Sequence, residues 1–164
     1  MPDTTQLDDF DIKILQALQH NADYSMNQLG ELVGLSHTPC WRRIKRLEAD
    51  GFIHGKVTLL NAQKLNLGVT VHAHITIESH DEESLNAFES AVGEVREIVE
   101  CYSTSGEKDY LLRVVVESVA HYERLLKQTL VHLPNVDSVN STFALKQVKY
   151  TTALPLERRH RDNK

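Results

Sequence analysis

The chain has 164 residues, 23 of them acidic against 18 Lys and Arg, a formal net charge of −5 and a pI near 6.0. That length suits one ordinary domain or two small ones, and a change of pattern near residue 60 favours two. No apolar run approaches the roughly 18 residues of a membrane span, and the start MPDTTQLDD lacks a basic region and an apolar stretch; the expectation is a soluble, cytoplasmic protein.

Leu7, Phe10, Ile14 and Leu18 lie within about 80° of one another on a helical wheel, which predicts a helix over residues 8–20. Leu15 widens that stripe. Ile12 falls on the far side, where it has no core role and a partner chain would cover it. Ser25 then caps a second helix with Met26, Leu29 and Val33 as its inward seam, and Gly34 supplies the left-handed stop. In the third helix Ser36 is the expected cap, accepting a backbone N–H, and Pro39 costs nothing in a first turn whose N–H groups have no intrahelical partner. Cys40, Ile44 and Leu47 recur at i, i+4 and i+7 and form one buried seam. Thr38, Arg42 and Lys45 then occupy the opposite face, with Trp41 and Arg46 on its flanks. Two short helices joined at a glycine, the second basic on its outer face, describe a helix-turn-helix that lays its second helix in the DNA major groove. Arg42, Lys45 and Arg46, with Thr38 and Trp41, are expected to contact the groove or its phosphates, while Ser36 and His37 approach at the helix N-terminus.

The acidic net charge does not fit the basic-domain rule for nucleic-acid binders, but charge is unevenly placed. Arg42, Arg43, Lys45, Arg46, Lys56 and Lys64 face only Glu48 and Asp50 between Ser36 and Lys64. The polar tail adds Arg158, Arg159, Arg161 and Lys164, expected to keep the terminus soluble.

Gly51 stops the third helix, and residues 52–60 are short, β-prone and broken by Gly55, predicting a connector strand or hairpin before a linker at 61–69. Val71, Ala73, Ile75 and Ile77 alternate with Thr70, His72, His74 and Thr76, the pattern of a half-buried strand. A helix follows over 81–92, strands over 95–104 and 110–117, a helix over 119–133 ended by Pro134, and a last strand over 136–148. The order βαββαβ predicts a ferredoxin-like sandwich, an antiparallel four-stranded sheet with both helices on one face. In its third strand Leu111 and Val115 face away from Tyr110, Leu112, Val114 and Val116. A strand apolar on both faces implies that the open sheet face is covered, most economically by a second copy. A homodimer would also match a pseudo-palindromic DNA site. The fold class is thus α+β: a three-helix helix-turn-helix domain (1–60), a linker (61–69), a ferredoxin-like domain (70–150) and a C-terminal tail (151–164).

Other chemistry finds little support. Cys40 and Cys101 form no C-x-x-C pair and are expected to be reduced and structural. His72 and His74 share a strand face, with His54 or His121 as distant candidates, but two histidines at i, i+2 without a placed third ligand point to a sheet face; no metal is expected. No nucleophile-base spacing and no GxxxxGK[ST] occurs, so neither a catalytic residue nor a cofactor is assigned.

A Leu-Asp-x-x-Asp start, the segment LVGLSHTPCWRRIKRLEADGFI, and the later SGEKDYLLRV and LKQVKYTTALPL resemble the leucine- and asparagine-responsive regulators, the Lrp/AsnC family. The resemblance spans roughly residues 7–156. It implies a winged helix-turn-helix tethered to a ferredoxin-like domain that dimerises, assembles to octamers or higher, and binds a small effector, commonly an amino acid. The family's helix-turn-helix motif falls on Met26 to Lys45. Its effector pocket lies between neighbouring dimers, which here implies Thr104, Gly106, Glu107, Lys108, Asp109 and Tyr110, with Val131 and the strand through Thr142, Phe143, Ala144 and Leu145 supplied across the interface. A glycine-containing turn suits a carboxylate, and Asp109 or Glu107 an ammonium. The plainer reading of the loop is a turn that needs Gly106 only for its backbone angle. Phe143-Ala144 replaces two branched aliphatics of the leucine regulators, and WRRIKRLE and VKYTTALPL look closest to members that respond to cysteine. The implied function is a sequence-specific DNA-binding transcriptional regulator modulated by an amino acid. The alternatives are a ligand-binding module whose helical part docks to protein and an architectural DNA-compacting protein.

Overall fold

The computed structural model describes residues 7–157. The described residues divide into two compact units, one formed by residues 7–58 together with 149–157, the other by Leu59–Val148.

Three helices make the first unit: α1 (Asp9–His20), α2 (Met26–Val33) and α3 (His37–Ala49). Each starts where a side chain or a break directs it. Asp8 and Asp11 form a reciprocal capping box at α1, and Ser25 and Gln28 form another at α2. Ser36 is the N-cap of α3 by position, but its hydroxyl makes no capping bond, contrary to expectation; Pro39 at the third helical position leaves no N–H there for it to accept. Gly34 ends α2 at φ 79°, and the Gly34 and Leu35 N–H groups both donate to the Gly30 carbonyl, at 2.9 and 2.8 Å. The turn folds back so closely that a Cβ on Gly30 would lie 2.5 Å from the Leu35 carbonyl oxygen. The core joins Ile14, Ala17, Leu29, Val33, Cys40, Ile44 and Leu47. Ile12, assigned no core role from the helical wheel, is buried within this one chain.

No strand forms over residues 52–60. The Phe52 and Ile53 N–H groups instead close α3 on the Leu47 carbonyl, at 2.9 and 3.2 Å, and a β-prone segment with no neighbouring strand has nothing to pair with. The segment after Lys149 returns to the helices. Gln19 brackets Leu154, its Nε2 donating to the Leu154 carbonyl at 3.0 Å and its Oε1 accepting the Leu154 N–H at 2.9 Å, while Gln16 Nε2 donates to the Leu156 carbonyl at 2.8 Å. Residues 153–156 thereby wall a groove of about 770 Å³ along α1. The basic stretch expected at 158–164 lies outside the described residues.

The second unit has the expected βαββαβ order: β1 (Val69–Ile77), α4 (Glu82–Gly93), β2 (Ile98–Ser103), β3 (Tyr110–Val116), α5 (Val119–Gln128) and β4 (Val136–Phe143). All pairings are antiparallel, in the order β2-β3-β1-β4. Alternation decides the faces: Val71, Ala73, Ile75 and Ile77 join Tyr110, Leu112, Val114 and Val116 under Phe88 and Val92 of α4 and Tyr122 and Leu125 of α5. The helix expected through residue 133 breaks after Gln128 into a 3₁₀ turn at Leu130–His132, and β4 ends at Phe143 rather than 148. β4 stops there because β1 ends at Val69: the Ala144 N–H still bonds the Thr70 carbonyl at 3.0 Å, after which the ladder has no partner. On the opposite sheet face His72, His74, Leu111, Arg113 and Val115 are half-buried, and Arg113 donates to Glu100 at 2.6 Å. Neither cysteine is in a disulfide; Cys40 is buried, whereas Cys101, on edge strand β2, is exposed and outside the core.

Candidate nucleic-acid interface and effector loop

Helix α3 is held by its seam and by its flank. Cys40, Ile44 and Leu47 fasten it to α1 and α2. That burial leaves His37, Thr38, Trp41, Arg42 and Lys45 in solvent on the far side, with Ser36 at the helix start. Arg42 has no ion pair or hydrogen bond among the described residues, and Lys45 is paired to Glu48 at 2.7 Å on the exposed surface. Such a surface pair contributes little to stability and is readily exchanged for a phosphate.

The other two basic residues turn to α1. Arg43 Nη1 lies 2.7 Å from Asp8 Oδ2 and 2.8 Å from Asp11 Oδ1, with its guanidinium over the Phe10 ring. Burial works to raise the Asp8 pKa, but the Asp11 N–H and the Arg43 guanidinium outweigh it and hold the carboxyl below the usual range. Arg46 Nη2 lies 2.5 Å from Asp11 Oδ2 without the alignment of a hydrogen bond, and its Nε is 4.0 Å from Asp50. Asp11 itself is fully buried. This arrangement was not read from the sequence, although an acid at each end of the first helical turn and four cations on α3 were both visible there.

The β2–β3 connection is organised by Asp109. Its Oδ2 accepts the Ile77 N–H at 2.8 Å, its Oδ1 lies 2.7 Å from His80 Nε2, its N–H donates to the Ile75 carbonyl at 3.0 Å, and its carbonyl accepts the Thr104 N–H at 2.8 Å. The His80 bond, then the Ile77 N–H, hold the Asp109 carboxyl below the usual carboxylate range. Thr104 Oγ1 donates to the Lys108 carbonyl, and Lys108 Nζ reaches Thr76 at 3.3 Å. Gly106 and Glu107 stand in solvent. The turn does not need Gly106 for its backbone angle, since its φ is not positive, and a Cβ there would meet nothing within 4 Å. Tyr110 points the other way, into the core, its ring tilted 47° to that of Phe88 with centroids 4.6 Å apart and its hydroxyl donating to Glu89 at 2.7 Å; burial, then the Glu89 carboxylate, push its phenol up to about 12.

One protomer does not assemble all the residues assigned to this pocket. In register, the loop adjoins the Ile75 end of β1 and Phe143 pairs with Val71. Four residues of strand, about 13 Å, separate the two along β1. Phe143 packs edge-on against Tyr122 at 5.4 Å on the helix side, Thr142 and Ala144 lie exposed at that same far end, and Val131 is exposed in the 3₁₀ turn.

A helix-turn-helix with an outward basic helix, joined to a ferredoxin-like sandwich, defines a two-unit DNA-binding regulator. Residues 7–54 match the winged helix-turn-helix DNA-binding family and residues 70–154 the Lrp/AsnC ligand binding domain. The glutamate uptake regulatory protein of Zymomonas mobilis is 46% identical over 151 residues, covering 92% of each chain. Among solved structures, an AsnC family transcriptional regulator from Agrobacterium tumefaciens superposes with a TM-score of 0.87 at 45% identity, covering 91% of this chain and 97% of that one. A transcriptional regulator from Neisseria meningitidis in complex with L-Met gives the same TM-score at 35% identity, with 92% and 97% covered. The chain belongs to the Lrp/AsnC family of DNA-binding transcriptional regulators, which are not enzymes. Among the described residues no three potential ligands gather for a metal ion, and no helix is long and apolar enough to cross a membrane.

Proposed function

We propose that this cytoplasmic regulator reads a specific duplex with the outer row of α3 and changes its DNA occupancy when a small amino acid binds at the β2–β3 loop between dimers. The carrying observation is the exposed row His37, Thr38, Trp41, Arg42 and Lys45 opposite a fully buried seam, with Ser36 at its start. We leave Arg46 out of the reading row because its Nη2 is buried against Asp11 of α1 and its Nε is buried on the Asp50 side of α3.

The effector half rests on different observations. Gly106 is required neither by its φ nor by a neighbour within the chain, which suits close backbone approach by a second molecule. Exposed Glu107 can take an ammonium, whereas both oxygens of Asp109 are already engaged, so Asp109 shapes the loop. Thr142, Phe143, Ala144 and Val131 complete the enclosure from a neighbouring copy, since one sheet holds loop and strand end apart. Dimers form through the sheet face bearing His74, Leu111 and Val115, and dimers then assemble further, to an octamer or higher. The bound L-Met of the Neisseria relative supports an amino-acid effector. Its binding alters operator affinity by a coupling of about 1–3 kcal/mol.

Genome-wide recovery of bound DNA with and without candidate amino acids reports target and effector together. Salt-titrated binding to the recovered site and to random DNA then separates the readings: a regulator prefers one site, an architectural protein binds both alike, and a protein-docking module binds neither. In the same assay Arg42→Ala is expected to cost about 1–3 kcal/mol of operator binding with the oligomer intact. Unchanged affinity at fixed salt refutes the α3 reading.

A further inference from the structure

Asp11 is the one fully buried charged side chain among the described residues. An unpaired carboxylate in that position would be strongly destabilising, so its partners matter. Oδ1 faces Arg43 Nη1 at 2.8 Å, and Oδ2 accepts the Asp8 N–H at 3.0 Å and meets Arg46 Nη2 at 2.5 Å. Asp8 Oδ2 holds Arg43 Nη1 from a second side at 2.7 Å. Both arginines sit on the flank of the helix that carries Arg42 and Lys45, one turn or less from that row. Phosphates attract any cation within reach, whatever the base sequence. Two more free arginines on α3 would strengthen binding to random DNA as much as to an operator, and the ratio between the two is what selects a site.

We propose that Asp11, backed by Asp8, is a specificity-determining residue: it occupies Arg43 and Arg46 so that they do not spend their charge on phosphates, and base-reading contacts of the outer row decide where the protein binds. The inference rests on the α3 reading above. It assigns the acid pair a role in discrimination that a purely structural clamp would not have.

The test uses the full-length protein and two duplexes of equal length, one recovered operator and one random, titrated from about 50 to 200 mM salt. Asp11→Asn is expected to steepen the salt slope on random DNA by about 0.9 to 1.8 per protomer, as one or two phosphate contacts are gained, and to lower the operator-to-random ratio several-fold. Asp9→Asn makes the same charge change on the exposed first turn of α1, where no cation is paired to it among the described residues, and is expected to shift the slope far less. Arg43→Gln alone should leave the random-DNA slope unchanged, yet remove part of the gain when combined with Asp11→Asn. If circular dichroism shows that Asp11→Asn unfolds, Asp8→Asn removes one of the two carboxylates on Arg43 and leaves its Asp11 contact, with an expected steepening of less than about 0.9 but more than that of Asp9→Asn. Equal slopes for the Asp11 or Asp8 variant and Asp9→Asn overturn the proposal, as does a slope flattened by Arg43→Gln in the otherwise native chain. A normal loss with Arg42→Ala beside an unmoved slope in Asp11→Asn sinks this inference alone, whereas no loss with Arg42→Ala sinks the α3 reading on which it stands.

Discussion

The proposed reading row is complete within one chain, and the proposed effector pocket is not. Around α3, every residue of the proposed reading row projects from a helix whose other sides are fastened by Ile44, Leu47 and the Asp11 cluster. Around the β2–β3 loop, the acid that organises the turn is consumed by the fold, and the strand end assigned to the same pocket lies at the far end of β1. A rigid reader can be built from local packing, whereas a sensor whose parts come from different copies makes ligand binding and assembly a single equilibrium. Any ligand that favours one assembly thereby changes how many readers are presented to DNA together.

The comparison is broken most forcefully at Gly30. An added methyl would meet the Leu35 carbonyl oxygen, which belongs to backbone and cannot swing aside, so the turn before α3 must shift. Gly30→Ala is expected to cost about 1–3 kcal/mol in the stability of the helical unit, read by thermal unfolding, and to weaken operator binding with it. A variant that melts like the parent would show that the turn is soft and the reader less rigid than described.

Acid gives a smaller, graded effect in both units. Asp8 and Asp109 have folded pKa values below their unfolded ones, so their stabilisation is complete above about pH 4 and is lost as pH falls through the lower, folded values. Unfolding titrations from pH 6 to pH 2 in Asp8→Asn and Asp109→Asn should show a shallower loss of stability on acidification than the parent shows. An identical slope in either variant removes that carboxylate from the balance. The smallest expected effect on stability is at Gly106, where Gly106→Val has room for its side chain and should leave the melting temperature within about 1 °C. Its response to amino acids should nevertheless disappear, and a retained response would place the effector elsewhere.

Much of this was legible where periodicity speaks. The i, i+4, i+7 seam of Cys40, Ile44 and Leu47 and the strict alternation of β1 found their places in the core. Element ends were harder, because Phe143 stops β4 only where β1 runs out of length, and residues 52–60 have strand composition without a strand beside them. Ile12 was misjudged because a helical wheel shows which side a residue takes but not what returns to cover that side. Arg46 looked free for the same reason: its partner is 35 positions earlier, and only the packing of α3 on α1 brings them together. In the sensor loop, the glycine and the acid were recognised, but which of the two acids the fold itself consumes depended on the His80 and Ile77 partners.

Gln16 and Gln19 seat the backbone of Leu154 and Leu156 against α1, although these residues come after the last strand. A fluorophore attached just after Leu156 would therefore ride with the DNA-reading half and report its tumbling, although that position follows the sensor's last strand in sequence. Because the polypeptide passes from one half to the other twice, a single protease cut between residues 59 and 68 would free the helices covalently yet leave them held to the other fragment by the tail that Gln16 and Gln19 bind.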